Sequence, residues 1–538
     1  MGFVFYLFKL GSNSVVFWGL AVAIAVVVCY QIRLSSVDGA FGYAFAEVVA
    51  TFVLLQLTSI ANAGSHSIYW LDSYYEVRAT DIAITSGWDP NTGILGSVGG
   101  YPAVHFLTGT ISQTIGASVF EVARWMGLLT YTAAFVFYLA FARRTFRDID
   151  LVLYSGIAIS FMFYFVMVTG LGRMPFSVAI FFMILFLFVC NLKKPCLNLI
   201  ATSLVCLWAL VLSHPMAPIV LGAFFINLLI LIRFRRALAN ESVTSTGPMD
   251  SMPRKMGASS VRIYTLLVLV ITTAYVVNVS IWSQDLLAST VSLLRGFTPV
   301  QEIGTGSSMP LHWRVFLYGQ GVFGITLAAF VTRRPSEAHG FSINAMATFS
   351  FFVIAWMFVA YYLRIELIRF TIFIWPFLLL SGFGAIRIAG YKRLIPVFVV
   401  SFVLINIAGY FPDTYDRSLL PSRGEIYQYV SEQELVSVSS LNVSGVVVSN
   451  HYIGMAFLYM AGKEVNSNGI FFLEGYKHPG DTSYFYLDQR DRQWIFTRED
   501  TPGQYPFVSD ELYRNYQQAT YMLRIYDNGE VEAYHILR

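Results

Sequence analysis

Residues 70–90 read WLDSYYEVRATDIAITSGWDP and lie between two long apolar stretches of the chain. Four side chains in this short segment are carboxylates: Asp72, Glu76, Asp81 and Asp89. A glycine-rich run follows, and the insert closes with the segment Tyr101–His105 before apolar residues return. Because the flanking sequence suits a lipid environment, this polar insert is where we expect the chemistry of the protein to lie.

The composition of the chain excludes a soluble globular protein. Of its 538 residues, 56% are hydrophobic and only 12% are charged, which leaves too few polar groups to cover a surface. About twelve apolar runs approach the roughly 20 residues that a bilayer requires. They are 15–33, 42–62, 119–142, 150–170, 175–192, 197–213, 216–233, 263–283, 312–332, 343–363, 368–388 and 396–411. The sequence therefore predicts an α-helical, multi-pass protein of the cell membrane.

The basic residues indicate how the spans are oriented. If Arg143 and Arg144 are cytoplasmic, then 17 Lys and Arg residues fall on that side, against about eight on the other side before residue 412. The positive-inside rule then places the insert at 63–118, the loop at 284–311 and everything after residue 411 outside the cell. Both termini are expected outside if the span count is twelve.

Two parts of the chain differ from the spans in composition. Residues 237–261 are rich in Ser, Thr, Gly and Pro, and we expect a disordered cytoplasmic linker there. Residues 412–538 hold 17 acidic and 10 basic residues, a net charge of −7 against +10 for residues 1–411. They end in a hairpin pattern around Asn528-Gly529, which supplies the positive φ of a tight turn. The sequence predicts a transmembrane domain over 1–411 and a small extracytoplasmic α/β domain over 412–538.

The spacing of the carboxylates suggests a role for the insert. Asp72 and Glu76 are four residues apart and share one face of a helix, which Trp70 and two tyrosines could anchor at the membrane surface. A carboxylate at the edge of a low-dielectric cavity is suited to act as a general base, removing a proton from an acceptor hydroxyl as a sugar leaves a phosphate carrier. The alternative is a solvated loop with ordinary surface acids.

Arginines at the outer ends of other spans are candidates for binding phosphate. Arg364 and Arg369 could hold a lipid-linked phosphate in bidentate fashion, and Arg173 is a further candidate. The alternative for Arg364 and Arg369 is an Arg–Glu pair with Glu366 that fixes the helix ends.

Three histidines of the chain are candidates for binding a metal. His66, His105 and His214 fall near the outer surface and could bind a divalent metal with the carboxylates, but their spacing favours capping and hydrogen-bonding roles. The sequence has no Walker loop, no Rossmann glycine fingerprint and no zinc-type cysteine cluster. A soluble nucleotide cofactor is therefore not indicated, and neither is a nucleic-acid partner.

The motifs of the insert resemble a known family. The runs Asp72-Ser-Tyr-Tyr-Glu-Val-Arg78, Gly87-Trp-Asp-Pro90 and Gly100-Tyr-Pro102 resemble the first external loop of GT-C superfamily glycosyltransferases. The likeness is strongest to the catalytic subunit of oligosaccharyltransferase, and the overall architecture is also similar to polyprenyl-phosphate-sugar mannosyltransferases. The resemblance implies a sugar donor linked to polyprenyl phosphate.

The resemblance also implies roles for individual residues. Asp72 matches the catalytic or metal-binding acid of the first loop, so that a divalent ion such as Mg²⁺ or Mn²⁺ is possible there. Asp89 matches a second acid of some members, and Glu302 occupies a loop comparable to one that carries a glutamate. The sequence departs from the oligosaccharyltransferase branch in one respect, since it lacks the Trp-Trp-Asp motif of the outer domain. Transfer to a glycan, lipid or other hydroxyl acceptor is therefore favoured over transfer to the asparagine of a protein.

Three functional hypotheses follow from the sequence. The first is a membrane glycosyltransferase that moves a sugar to a glycan, lipid or protein acceptor outside the cell. In it, Asp72 is the base or metal ligand, assisted by Glu76 or Asp89, while Arg364 and Arg369 hold the phosphate. His105, Arg173 and Glu302 are further substrate-binding candidates. The second hypothesis is a transporter or flippase of a lipid-linked or anionic substrate, and the third is a non-catalytic scaffold that displays its outer domain.

Overall fold

The computed structural model describes most of the membrane region and the strands of the C-terminal region. The described residues are 15–38, 41–63, 72–88, 101–146, 148–162, 171–238, 254–278, 311–332, 346–351, 354, 368–410 and seven strands between 446 and 536. The helices are α1 (Val15–Asp38), α2 (Phe41–Ala63), α3 (Asp72–Ser86), α4 (Ala103–Ile115), α5 (Val119–Thr145), α6 (Ile149–Ser160), α7 (Arg173–Lys193), α8 (Leu197–Val211), α9 (Met216–Leu238), α10 (Arg254–Asn278), α11 (Leu311–Thr332), α12 (Ile368–Ile388) and α13 (Ile395–Tyr410). A 3₁₀ turn, Lys392–Leu394, precedes α13, and residues 346–351 are helical.

The apolar helices are those of a polytopic membrane protein. Within the described residues, four helices are long and apolar enough to cross a membrane: Val119–Thr145, Arg173–Lys193, Met216–Arg233 and Thr371–Ile388. Six shorter apolar helices accompany them: Gly19–Ser35, Phe41–Leu57, Ile149–Ser160, Leu197–Val211, Ser259–Tyr275 and Tyr318–Val331. Each of the twelve predicted apolar runs contains described helical residues. The total number of spans stays a prediction.

One predicted boundary differs from the structure, and another can be compared only in part. Helix α6 ends at Ser160 and Phe161 leaves the helical conformation, while residues 163–170 of the run predicted over 150–170 lie outside the described residues. The linker predicted over 237–261 extends too far at both ends, because α9 continues to Leu238 and α10 begins at Arg254, while residues 239–253 lie outside the described residues. The sequence Met256-Gly-Ala-Ser-Ser has the composition of a linker, yet it forms the first turns of α10, which packs against α9. Tertiary packing thus overrides weak local propensity.

The core of the bundle forms where α5, α6 and α7 meet. Ser118 and Glu121 form a capping box that starts α5, with the Ser118 hydroxyl accepting from the Glu121 amide and the carboxylate accepting in return. The Tyr138 hydroxyl of α5 donates to the Ser155 hydroxyl of α6 at 2.9 Å in the buried interior. Gly156 lets α6 approach closely, since a Cβ atom there would lie 2.9 Å from a Leu139 methyl group and 3.0 Å from one of Val48.

A cluster of charged residues joins α6 to α12 at the end of the bundle where α5 ends. Asp150, in the first turn of α6, is only 6% exposed. Its two carboxylate oxygens accept from Arg387 at 2.7 Å and from Lys392 at 2.8 Å, and Arg387 also reaches Asp148 at 2.9 Å. We call this end of the bundle the basic end, because the last turn of α5, with Arg143 and Arg144, also lies there. The helix α7 runs from the other end, at Arg173, towards Lys193 in its own last turn.

Strands form the described part of the C-terminal region. Five of them make a mixed sheet of order β2-β1-β3-β7-β6, in which β1 is parallel to β2 and β3, and β7 is antiparallel to β3 and β6. The strands are β1 (Val446–Val448), β2 (Val465–Asn466), β3 (Thr482–Asp488), β6 (Met522–Asp527) and β7 (Val531–Ile536), while β4 (Ile495–Thr497) and β5 (Gln504–Pro506) form a separate antiparallel pair. The predicted terminal hairpin is confirmed by the pairing of β6 with β7. The extracytoplasmic position of this region stays a prediction.

Candidate active site

The acidic insert begins with the helix that the sequence predicts. Helix α3 starts at Asp72 and ends at Ser86, and Gly87 then adopts a φ of +81°, which releases the chain from the helix. At about 100° per residue, Asp72, Glu76 and Thr80 form one stripe along α3. Glu76 and Thr80 are buried, so the part of the stripe that they form faces the protein.

Glu76 lies between two basic side chains that come from different helices. Its Oε1 atom accepts a hydrogen bond from Nε of Arg173 at 2.9 Å, at the first residue of α7. Its Oε2 atom lies 3.0 Å from Nε2 of His105 in α4. The second contact is at ion-pair distance, but its angles are outside those of a hydrogen bond, so it is mainly electrostatic. Glu76 is 4% exposed and His105 is fully buried. We call Glu76, His105 and Arg173 the loop-end triad.

The surroundings of Glu76 keep its carboxyl group ionised. Burial favours the neutral acid and by itself raises the pKa. The positive charge of Arg173, together with the contacts to His105, outweighs burial and lowers the pKa of Glu76 to about 2. A carboxylate of this kind is a weak base, and both of its oxygens already face cationic or polar nitrogens. Its geometry is that of a group that holds other residues in place.

His105 is fixed on several sides. Its Nδ1 atom lies 3.1 Å from the hydroxyl oxygen of Thr80. The indole of Trp88 stacks on the imidazole ring, with centroids 5.1 Å apart and 23° between the planes. Helix α4 itself is anchored by its first amide, since the backbone N–H of Ala103 donates to the carbonyl of Leu212 at the end of α8. The ring therefore has little freedom to reorient.

Arg173 connects the triad to the surface of the bundle. Its side chain is 21% exposed, unlike the two buried members of the triad. Its guanidinium carbon lies 6.0 Å from the ring centroid of Tyr101, at the limit of a cation–π contact. Tyr101 in turn lies 6.3 Å from the ring of Tyr275 near the end of α10. The guanidinium group of Arg173 thus contacts Glu76 of α3 and Tyr101 of the insert, and Tyr101 connects it to α10.

The structure therefore brings together three of the residues that the sequence singles out: Glu76, Arg173 and His105. Asp72 occupies the position one turn before Glu76, although its side chain is outside what the structure describes. Arg369 lies in the first turn of α12, and its side chain is likewise not described. Asp89, Glu302 and Arg364 lie outside the described residues. Their proposed roles stay predictions.

The loop-end triad does not fit a divalent metal. Both oxygens of Glu76 face Arg173 and His105, and an added cation would be repelled by the guanidinium group. Among the described residues there is no group of three or more His, Cys, Asp or Glu side chains that could hold a metal. His214 has the capping role that the sequence favours, because its Nδ1 atom accepts from the amide of Met216 at the start of α9. Whether Asp72 binds Mg²⁺ or Mn²⁺ stays a prediction.

Sequence reasoning missed the partners of the triad. Thr80 has a visible signal, because it continues the four-residue spacing of Asp72 and Glu76. In the sequence, Trp88 is only one residue of the Gly87-Trp-Asp-Pro90 motif, whereas in the structure its ring stacks on His105. The pairing of Glu76 with Arg173 joins positions 97 residues apart, and no local sequence pattern predicts it.

Comparisons with known proteins give structural matches only. No protein-family model matches the chain, and no curated protein matches it. One similar solved structure is the cryo-EM structure of the arabinofuranosyltransferase AftD from Mycobacteria, with 10% identity, a TM-score of 0.49 and coverage of 92% of this chain but only 40% of AftD. Another is ArnT from Cupriavidus metallidurans bound to undecaprenyl phosphate, with 10% identity, a TM-score of 0.47 and coverage of 92% of this chain and 98% of ArnT.

Neither match assigns a function to this chain. The first is a glycosyltransferase, and the second binds a polyprenyl phosphate. TM-scores below 0.5 at 10% identity do not establish a common fold. The assignment of a function therefore depends on the residues of the site.

Proposed function

We propose that this chain is a GT-C type membrane glycosyltransferase, which transfers a sugar from a polyprenyl-phosphate-linked donor to a glycan, lipid or protein acceptor on the extracytoplasmic side. One observation carries the proposal: an ionised, buried glutamate is held between Arg173 and His105, one helical turn after Asp72. Burying charges is costly, and a buried pair that loses one partner is strongly destabilised. Such an arrangement at the edge of a helix bundle is typical of a preorganised site.

The first role to assign is that of the base. Asp72 is the proposed general base, which takes the proton from the acceptor hydroxyl as its oxygen attacks the anomeric carbon of the sugar. The bond between that carbon and the phosphate oxygen breaks, and the phosphate leaves with the electron pair. Glu76 is a positioning residue in this scheme and not the assisting base that the sequence suggested, because its pKa is lowered to about 2 and its oxygens are engaged. Asp89 keeps its proposed assisting role.

The second role is the binding of the phosphate. Arg173 is the member of the triad that reaches the surface, and Glu76 fixes it through Nε. The remaining guanidinium nitrogens point away from that bond in a planar fork, a geometry that suits a phosphate. Arg364 and Arg369 are proposed to complete the phosphate site, Glu302 to contact the substrate, and residues 412–538 to select the acceptor. No step of this scheme requires a metal.

The decisive experiment compares two acids of the same helix. Purified protein in lipid is incubated with a panel of polyprenyl-linked sugars and extracted acceptors, and products are detected by mass. We expect Asp72→Asn to lower transfer by at least about 100-fold, the range for loss of a general base. Asp81→Asn is the matched control, because Asp81 lies about 180° from Asp72 on the helix and no contact joins it to the triad in the described residues.

Two outcomes would contradict the proposal. Turnover of Asp72→Asn equal to that of the wild type would remove Asp72 from the mechanism. Uptake or lipid flipping in proteoliposomes, with no sugar transfer by the wild type, would favour the transporter hypothesis. Within the described residues, however, the ion pairs involve the first residue of α7 and the last turn of α12, whereas transport sites form near the middle of the spans.

A further inference from the structure

Helix α4 carries most of its large apolar residues on the outside of the protein. Phe106 is 51% exposed, Leu107 36% and Ile115 65%. The face turned towards the rest of the protein holds mainly polar or small residues: Val104, His105, Thr108, Gly109 and Ser112. In water, the apolar face of an amphipathic helix packs inward and the polar face turns outward. The arrangement of α4 is the reverse of that pattern.

The exposed face of α4 also lacks charge. None of the 13 residues of Ala103–Ile115 is Asp, Glu, Lys or Arg. A helix face that meets water normally carries charged side chains. The exposed hydroxyl of Thr114 donates to the backbone carbonyl of Thr110 at 2.7 Å, so that its proton is satisfied without water. These properties match a lipid environment.

The neighbour of α4 is a helix whose outer face is suited to lipid. Helix α4 packs against α5, which is long and apolar enough to cross a membrane. Trp125 and Leu129 lie one turn apart on the same side of α5, and they are 46% and 56% exposed. Tryptophan is enriched where lipid meets water, and a leucine one turn deeper suits the acyl chains. Helix α4 therefore borders a lipid-facing surface.

Both ends of α4 lie at one end of the bundle. Helix α5 ends at the basic end, so its first residue, Val119, lies at the opposite end, which we call the loop end. The Ala103 amide donates to the carbonyl of Leu212, at the end of α8. Helix α8 follows α7 after a short turn and so returns to the loop end. A helix of 13 residues is about 20 Å long, too short to span a bilayer, and α4 therefore runs along the membrane surface.

We infer that α4 is embedded in the membrane leaflet at the loop end, parallel to its plane, with its exposed face among the lipid chains. The partner of this face is the bilayer itself. His105 lies on the opposite side of the same helix, so α4 separates the loop-end triad from the lipid chains. This placement does not depend on the proposed function.

Spin labels can show which medium surrounds α4. Three variants, Leu107→Cys, Thr110→Cys and Thr114→Cys, each place one label on the outward side of the helix in the full chain, reconstituted in nanodiscs. Collisions of the nitroxide with oxygen, which concentrates in lipid, are compared with collisions with a nickel chelate, which stays in water. Each variant is first checked by thermal unfolding, and each position tests the placement on its own.

Matched controls come from the same chain. The more accessible native cysteines, Cys190 and Cys196, are replaced by serine throughout. A sample with no new cysteine measures the background from the two buried cysteines. Leu129→Cys provides the lipid reference on α5, and Lys194→Cys provides the water reference in the turn after α7.

We expect the three α4 labels to resemble the Leu129 label, with an oxygen-to-nickel ratio severalfold above that of the Lys194 label. The ratio should be similar at positions 107, 110 and 114, because a helix parallel to the membrane holds them at one depth. Ratios like that of Lys194 would overturn the inference, and so would few collisions with either reagent, since protein would then cover the face.

A steady change of the ratio from position 107 to position 114 would overturn the inference as well. These positions are about 10 Å apart along the axis, so such a gradient would mean that α4 stands upright in the leaflet. The collision measurements require no catalytic turnover. Absence of sugar transfer in the same nanodiscs would contradict the proposed function and leave the placement of α4 intact.

Discussion

The two ends of the helix bundle solve the same electrostatic problem with different residues. At the basic end, Asp150 is buried between Arg387 and Lys392, and at the loop end Glu76 is buried between Arg173 and His105. The basic-end cations are the more exposed ones, with 30% of the Arg387 side chain and 48% of the Lys392 side chain accessible, so solvent helps to stabilise their charges. At the loop end one partner is a fully buried histidine.

This difference suggests different purposes for the two clusters. The basic-end cluster joins α6 to α12 and requires only charge, which Lys and Arg supply. The loop-end triad uses a histidine, a stacked tryptophan and a threonine, each with a defined orientation. Orientation matters for a site that must meet a substrate, whereas a joint between helices tolerates looser geometry.

Removal of the central acid from each cluster should separate these purposes. Glu76→Gln leaves Arg173 and His105 without their anion. We expect this change to lower the free energy of unfolding by about 3–5 kcal/mol. Because Arg173 and His105 then shift, we expect transfer per folded molecule to fall about 100-fold. Asp150→Asn should lower the unfolding temperature by a similar mechanism but leave transfer per folded molecule unchanged. Thermal unfolding in detergent and product mass measure the two effects.

An equal loss of transfer in both variants would show that the two clusters do not differ in purpose. An unchanged rate in Glu76→Gln would remove the loop-end triad from the active site.

Acid should weaken the loop-end triad in a defined range of pH. The pKa of Glu76 is lowered from 4.5 to about 2, so its ionised form stabilises the folded state above pH 4.5. This stability should be lost as the pH falls from 4.5 towards 2, by up to about 3 kcal/mol. The measurement is the difference in unfolding temperature between the wild type and Glu76→Gln across that range. The difference should shrink with falling pH, and a constant difference would contradict the lowered pKa.

The smallest effect is expected from exchanging arginine for lysine at each end. Lysine keeps the charge but loses the Nε donor and the planar fork. Arg173→Lys should therefore raise the KM for the lipid-linked donor about 10-fold, with a smaller change in kcat. Arg387→Lys is the matched control and should leave both constants unchanged while costing about 1 kcal/mol of stability. Equal kinetics for the two variants would mean that Arg173 only fixes α7.

Much of the membrane region could be predicted from the sequence, because lipid imposes a simple rule. Backbone groups must be paired internally, so long apolar runs become helices whatever their detailed order. The run predicted over 368–388 coincides with α12, whose proline at 376 lies inside the helix. The early start of α10 was missed, because Met256-Gly-Ala-Ser-Ser has the composition of a linker.

The site was predictable in part, for a related reason. Helical periodicity placed Asp72 and Glu76 on one face, and Glu76 is indeed buried on the inward side of α3. The role of Glu76 could not be predicted, since its partners Arg173 and His105 come from other helices. A carboxylate with no partner can act as a base, whereas a carboxylate beside a guanidinium group holds that group in position. Which of the two roles applies depends on tertiary contacts.

The bond between the Ala103 amide and the Leu212 carbonyl has a consequence for how this protein can diverge. The amide is an unused donor at the first turn of one helix, and the carbonyl is an unused acceptor at the end of another. Every residue has a backbone carbonyl, and every residue except proline has a backbone N–H. This hydrogen bond therefore does not depend on which side chains occupy the two positions, provided that the donor is not proline. Substitutions in the insert that keep proline out of position 103 therefore preserve the atoms of this bond between the insert and the end of α8.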